Sequence, residues 1–171
     1  DLFTTAKGLS GGLPQSALVG RRELMDIYAP NTMTSTHSGS PVASAGTAAN
    51  IKFLKEHNMC QEALRKGKIM EEKLKALWKQ FPERISYVSG IGMAWAVTFA
   101  EADTHAIHPE FALEVTKKCN ENGLTFFAAV GAGITMKLTP PLTIPDDALI
   151  EGLEAYATAV AEADAIMPAY K

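Results

Sequence analysis

Apolar and polar positions along this chain follow two different periods, and the changes of period predict its elements. Leu2-Phe3-Thr4-Thr5 is short and β-prone, and Ala17-Leu18-Val19-Gly20 is a second apolar strand candidate. Between them, Lys7-Gly8-Leu9-Ser10-Gly11-Gly12-Leu13-Pro14 holds three glycines and a proline, so its backbone bends sharply and carries little side-chain bulk. Arg21 to Ile27 reads as a short helix. Ala29 to Gly39, rich in Thr, Ser, Asn and Gly, reads as an irregular loop. Pro41 stands where a helix takes its first residue, with Ser40 as the N-cap. The run Val42 to Phe53 is dense in small residues (Ala43, Ser44, Ala45, Gly46, Ala48, Ala49), which predicts a buried helix lying close against a neighbour.

From Gln61 to Gln80, Leu64, Ile69, Leu74 and Leu77 recur at helical spacing and predict a long amphipathic helix. After Pro82 the period shortens. Ile85 to Val88 and Met93 to Phe99 read as strands around a turn at Gly90-Ile91-Gly92. A helix is expected from Pro109 to about Asn122, with Gly123 as its C-cap. Leu124 to Val130 and Ile134 to Leu138 are two further strand candidates, separated by Gly131-Ala132-Gly133. Pro140-Pro141 interrupts the chain, and Pro145-Asp146-Asp147 opens a final amphipathic helix reaching about Ile166. The pattern is an α/β chain in two parts. Residues 1–56 form the tail of one α/β layer, residues 57–83 a connecting helix, and residues 84–171 a small α+β domain.

Composition narrows the classes of function. The 171 residues are 47% hydrophobic and 20% charged, as expected of a globular chain able to bury a core. A net charge of −3, from 19 acidic and 16 basic residues, argues against nucleic acid as the main partner. Lys66, Lys68, Lys73 and Lys75 alternate with Glu71 and Glu72 and read as a solvated helix face. Cys60 and Cys119 stand far apart, which fits reduced thiols in a cytoplasmic setting better than a disulfide framework. No apolar run approaches the roughly eighteen residues needed to span a membrane. His37, His57, His105 and His108 read as loop histidines and no metal site is expected. The chain opens at Asp1, without Met, directly on a strand-like segment, so its true beginning is expected upstream.

Lys7 is the first candidate for chemistry. It follows a short strand and precedes a glycine-rich turn, so its amine could project from a strand end into a cleft. Desolvation there would lower its pKa and make it a nucleophile and base. The competing reading is a surface-loop lysine.

Thr5-Ala6-Lys7-Gly8-Leu9-Ser10-Gly11-Gly12-Leu13-Pro14 resembles the Schiff-base segment of class III aminotransferases, enzymes of the fold-type I pyridoxal-phosphate group. Three further stretches follow in the family's order. Thr36-His37-Ser38-Gly39-Ser40-Pro41 is similar to its Thr-x-Gly-Gly-Asn-Pro loop. Val88-Ser89-Gly90-Ile91-Gly92-Met93 is similar to the Val-Arg-Gly-x-Gly-Leu turn that opens the small domain, and Leu138-Thr139-Pro140-Pro141-Leu142-Thr143-Ile144 to the C-terminal Pro-Pro-Leu segment.

The resemblance implies that Lys7 holds pyridoxal 5'-phosphate as a Schiff base and then carries a proton between the donor's Cα and the cofactor. It implies that Thr36 donates its hydroxyl to the cofactor phosphate across a homodimer interface; an ordinary turn threonine is the alternative. The amino group would pass from a small-molecule donor to a keto acid or aldehyde. Lys137 stands where many members carry an arginine for the substrate carboxylate. Lysine offers a point charge in place of a bidentate fork, and a solvent-facing strand lysine is the alternative. Ser89 and Ser40 also depart from the family's arginine and asparagine. The acidic partner of the pyridine nitrogen, the stacking aromatic residue and the phosphate loop lie N-terminal to everything matched here. The resemblance therefore implies the C-terminal part of a longer enzyme, inactive by itself. The same scaffold also serves racemases and epimerases, and a non-catalytic fragment is the third reading.

Overall fold

The structure is a computed structural model and describes residues 1–32, 35–101, 106–107, 109–127 and 133–168. The chain forms two compact units, Asp1–Met59 and Cys60–Lys171.

In the first unit, β1 (Leu2–Ala6) pairs antiparallel with β2 (Ser16–Gly20), from Leu2 opposite Gly20 to Ala6 opposite Ser16. A 3-10 turn, Lys7–Ser10, leaves the end of β1. Helix α1 is a single turn, Arg22–Met25, shorter than the expected Arg21–Ile27. It buries none of its residues, and one turn fixes many dihedrals for little return unless packing supports it. Helix α2 spans Pro41–Glu56. Ser40 occupies its N-cap position, and the Ser40 carbonyl accepts the Ser44 N–H at 2.9 Å, but the Ser40 side chain makes no capping bond. Pro41 at the first position has no N–H to satisfy, so one orphan donor is already absent. The expectation of a buried α2 is corrected: only Ala43 is buried within this chain. Its small residues act locally instead. A Cβ on Gly46 would stand 2.9 Å from Leu13 Cδ1, so the glycine admits the loop that follows Lys7.

The second unit is built on α3 (Met59–Gln80), β3 (Ile85–Ile91), β4 (Ala94–Phe99), α4 (Pro109–Glu121), β5 (Thr135–Leu138) and α5 (Asp146–Ile166). Its strands form one antiparallel sheet in the order β3-β4-β5. A register shift between Ile85 and Tyr87 leaves Ser86 as an extra residue, which lets both Ile85 and Val88 turn inward despite their odd spacing. The inward row Val88, Trp95, Val97, Phe99, Met136 and Leu138 meets Met70, Leu74 and Leu77 of α3, Phe111, Val115 and Cys119 of α4, and Leu149, Leu153, Tyr156 and Val160 of α5 in one core.

Several local expectations are refined by this packing. The buried stripe of α3 runs through Lys66, Met70, Leu74 and Leu77, while Leu64 remains 47% exposed. Lys66 was expected on a solvated face. It is buried, and its Nζ donates to the carbonyls of Leu142 (2.9 Å) and Ile144 (2.6 Å). Gly67 beside it lets α3 touch the β3–β4 turn, since a Cβ there would lie 2.5 Å from the Gly92 carbonyl oxygen. Helix α4 ends as the glycine at position 123 predicts. Gly123 has φ 79°, its N–H donates to Asn120 O, and the Leu124 N–H donates to Cys119 O at 2.8 Å, the paired bonds of a Schellman motif. The strand expected over Leu124–Val130 is not formed by residues 124–127, and 128–130 lie outside the described residues, as do Gly131 and Ala132. There Phe126 stacks on Tyr156 at 5.5 Å. At the other end of α5, Arg84 donates to Asp164 Oδ1 (2.7 Å) and to the carbonyls of Met167 and Pro168 (2.9 Å each), with its guanidinium 4.7 Å from the centre of the Phe111 ring. A cation at a helix C-terminus suits both the free carbonyls and the dipole. No helix of the described residues is long and apolar enough to cross a membrane.

Candidate functional site

Lys7 stands at the junction of β1 and the 3-10 turn, with its side chain exposed. The burial expected for its amine is not supplied by the residues of this chain. Its backbone is the unusual feature. Lys7 has φ 54°, in the left-handed region. The other non-glycine residues with positive φ among those described are Asn31 and Asn58, a residue type that tolerates this conformation. For a lysine the left-handed region costs about 1–2 kcal/mol. Such a conformation persists only where its surroundings over-determine it, and it is concentrated at functional sites.

The surroundings are specific. Asn50, in the body of α2, directs its side-chain Nδ2 at the two carbonyls that follow Lys7, donating to Gly8 O at 2.8 Å and Leu9 O at 3.0 Å. The Ser10 hydroxyl donates to the carbonyl of Leu13. Gly11 (φ 68°) and Gly12 (φ 131°) then take backbone conformations that side chains resist, and a Cβ on Gly11 would meet Asn50 Oδ1 at 3.5 Å. Gly8 and Gly12 face open space, with nothing within 4 Å of where a Cβ would stand.

Thr36 lies in a second turn of the same unit. Ser35 and Ser38 close that turn, with hydroxyls 2.9 Å apart and the Ser38 N–H donating to Ser35 O at 3.1 Å, and Gly39 leaves it at φ 68°. The Thr36 side chain is exposed, and no hydrogen bond joins it to Lys7. His37 is exposed in this turn, and His57 closes α2 with its ring 4.2 Å from that of Phe53. His105 and His108 lie outside the described residues. Among the described residues no group of three or more His, Cys, Asp or Glu side chains could hold a metal ion.

Lys137 belongs to the second unit. It sits in β5 opposite Ala96, which in turn pairs with Ser89, so Lys137 and Ser89 share one cross-strand row on the outer face of the sheet. The alternation of β5, with Met136 and Leu138 buried, turns Lys137 outward. It borders a cleft of about 630 Å³ lined mainly by apolar side chains, among them Phe126, Phe127, Pro141, Leu149 and Leu153. The structure thus brings Lys7 and Thr36 into one unit and Lys137 into the other.

Two polar residues escaped sequence reasoning. Asn50 had a signal: asparagine is a poor helix former, yet it stands inside the helix between Ala49 and Ile51, which suggests another task for its amide. Lys66 had one as well, since it continues the i, i+4 stripe of Met70 and Leu74.

Comparison with known proteins agrees with the family resemblance of the sequence. The aminotransferase class-III family matches residues 1–160. The 5-aminovalerate aminotransferase DavT of Pseudomonas putida is 32% identical over 153 residues, covering 90% of this chain and 36% of that protein. A leucine/methionine racemase of Thermococcus litoralis is 33% identical over 165 residues, covering 96% of this chain and 37% of its own length. The structure of an ornithine aminotransferase from Plasmodium yoelii superposes with a TM-score of 0.83 at 29% identity, over 96% of this chain and 41% of that one. This chain spans little more than a third of the curated relatives it matches. It belongs to the class-III aminotransferase family.

Proposed function

We propose that this chain is the lysine-bearing part of a pyridoxal-phosphate-dependent aminotransferase, with Lys7 as the covalent anchor of the cofactor. The observation that carries the reading is the left-handed backbone of Lys7, held by side-chain bonds to the residues that follow it. An exposed amine at a strand end, beside glycines whose missing side chains leave open space, fits an aldehyde cofactor that must come close to the backbone. Thr36, with an exposed hydroxyl in a braced turn, would donate to the phosphate of the cofactor in a neighbouring copy, making the working unit a homodimer. When bound, pyridoxal phosphate supplies the electron sink for the chemistry. Once the amino donor takes its place on the cofactor, the freed Lys7 Nζ would carry a proton between the donor's Cα and the cofactor, and Lys137 would offer its side chain to an acidic group of the substrate.

In this reading residues 1–56 are the C-terminal part of the cofactor-binding large domain, residues 57–83 the connecting helix and residues 84–171 the small α+β domain. Donors are small amines or amino acids and acceptors are keto acids or aldehydes. The similarity to a 5-aminovalerate aminotransferase makes ω-amino acids the first class to try. Two unpaired cysteines, one exposed and one buried, suit a cytoplasmic setting.

The test is the absorbance spectrum of the longest polypeptide carrying this sequence, with pyridoxal phosphate, beside a Lys7→Ala variant. A band at the visible edge that bleaches with amino donors and is missing from the variant is expected. Identical spectra would remove Lys7 from its role. The racemase of Thermococcus litoralis supports a second reading, in which the proton returns to Cα. Turnover of one enantiomer without any keto acid would favour it.

A further inference from the structure

The structure assigns Asn50 as a positioning residue that sets the Lys7 loop, and through it the presentation of the Lys7 amine. Asn50 lies more than forty residues away in sequence and on a different element, yet both bonds donated by its carboxamide go to consecutive carbonyls directly after Lys7. A carboxamide has two N–H donors on one nitrogen, and here they span two successive peptide groups. Within the 3-10 turn Gly8 O also accepts the Gly11 N–H, at a long 3.4 Å, and the one side chain adds a shorter bond to this carbonyl and another to the next while fixing the turn's direction. Gly11 packs on the same carboxamide, with its Cβ position 3.5 Å from Asn50 Oδ1, so the amide is bracketed on both sides by the loop it holds. Lys7, with its backbone in the left-handed region, joins β1 to the turn fixed in this way. Helix α2 thus acts on the lysine without touching its amine.

This assignment of a role in presenting the amine rests on Lys7 as the cofactor lysine. The loop-holding part does not, and the experiment separates the two. Asn50→Ala, Asn50→Asp and Asn50→Gln are made in the longest polypeptide carrying this sequence. Alanine is the better helix former and aspartate keeps the shape without any N–H, so loss in both variants cannot come from a weakened α2. The first readout is amide hydrogen exchange of residues 9–13. The second is the pH profile of Lys7 modification by pyridoxal phosphate, trapped with borohydride and located by peptide mass.

For Ala and Asp the exchange should quicken about tenfold, the size expected from one or two net hydrogen bonds. The limiting rate of Lys7 modification should fall by a similar factor, and glutamine should restore part of both. Wild-type exchange together with wild-type modification in Ala and Asp would overturn the inference. Faster exchange with an unchanged modification profile would reduce Asn50 to a structural residue and also overturn it. If wild-type Lys7 takes no pyridoxal phosphate, the cofactor reading fails, and exchange alone then decides whether Asn50 holds the loop.

Discussion

In the unit from Cys60 to Lys171, Tyr156, Phe99, Phe111, Met70, Leu74 and Ile85 are each less than 2% exposed and interlock around one sheet face. Among the described residues from Asp1 to Met59, the buried apolar side chains are Ala43 and Met59, while Phe3 (59%), Ile27 (68%), Tyr28 (63%) and Val42 (71%) remain open. One unit is ordered by packing. The other is ordered by backbone pairing and a few side-chain bonds, in a two-stranded hairpin of a kind that is marginal by itself. The candidate chemistry of Lys7 and Thr36 sits on this second kind of scaffold. A strained lysine needs specific bonds to hold it, and that is what Asn50 and Ser10 supply.

The largest test of this contrast is cysteine reactivity. Burial pushes the Cys119 thiol up to about 12, which alone leaves about a thousandfold less thiolate than at an ordinary pKa of 9.0. Cys60, exposed at the start of α3, should label quickly, whereas Cys119 should stay protected until the second core opens. Asn50→Ala should leave that protection intact, because the bonds it removes belong to the first unit.

Next comes a pair of phenylalanines. Phe111→Ala empties a fully buried site that faces Phe99 at 5.3 Å and should cost about 3–5 kcal/mol in denaturant unfolding of this chain. Phe3→Ala, measured in the same chain, should cost less than about 0.5 kcal/mol. Comparable losses would break the contrast.

A smaller effect is expected at Gly67. In a helix, alanine is ordinarily worth about 0.5–1 kcal/mol more than glycine. Here the added Cβ would meet the Gly92 backbone at 2.5–2.8 Å, so Gly67→Ala should destabilise by about 1–3 kcal/mol in thermal unfolding. A gain in stability would mean that α3 and the β3–β4 turn separate easily.

The smallest effect is that of pH. Arg65 holds both the Asp146 and Glu62 carboxyls below their ordinary range through direct hydrogen bonds. A folded pKa below the unfolded one gives stability that is fully present above the ordinary carboxylate pKa and is lost as pH falls through the lowered value. All three groups are solvent-exposed, so the acid-side slope should be shallow and should flatten further in salt. Arg65→Met should remove it; an unchanged acid slope in that variant would assign the dependence to other carboxylates.

Much of the second unit was legible in the pattern of residues, because it buries most of what it packs. The strand pair 85–99, the helix after Pro109 with its glycine cap, and the final helix from Asp146 all follow from periods and punctuation that act over a few residues. The failures share one cause. Lys66 looks like part of a charged surface, and the tripeptide around it contains nothing that says two carbonyls of the Pro140–Pro145 loop will meet its ammonium. The strand expected from Leu124 has the right composition, but residues 124–127 form no strand: the Leu124 N–H closes α4 on Cys119 O and Phe126 turns onto Tyr156. The small residues of α2 suggest burial, but within this chain their visible use is to admit Leu13 at Gly46.

The candidate site divides in the same way. Lys7, Thr36 and Lys137 stand out in the sequence because each occupies a recognisable segment, and residue order alone places the chain in its family. Local order determines which residues are available for chemistry: a lysine between a strand and glycines, a threonine in a turn, a lysine before two prolines. Only the tertiary structure decided how the lysine is held, by an asparagine from another helix. It also decided that Ser89 and Lys137 share a row across three strands. The physical reason is range. Turn chemistry and periodicity are fixed by neighbours within a few residues, whereas a hydrogen bond across forty residues exists only after the chain has closed on itself, and no short segment encodes it.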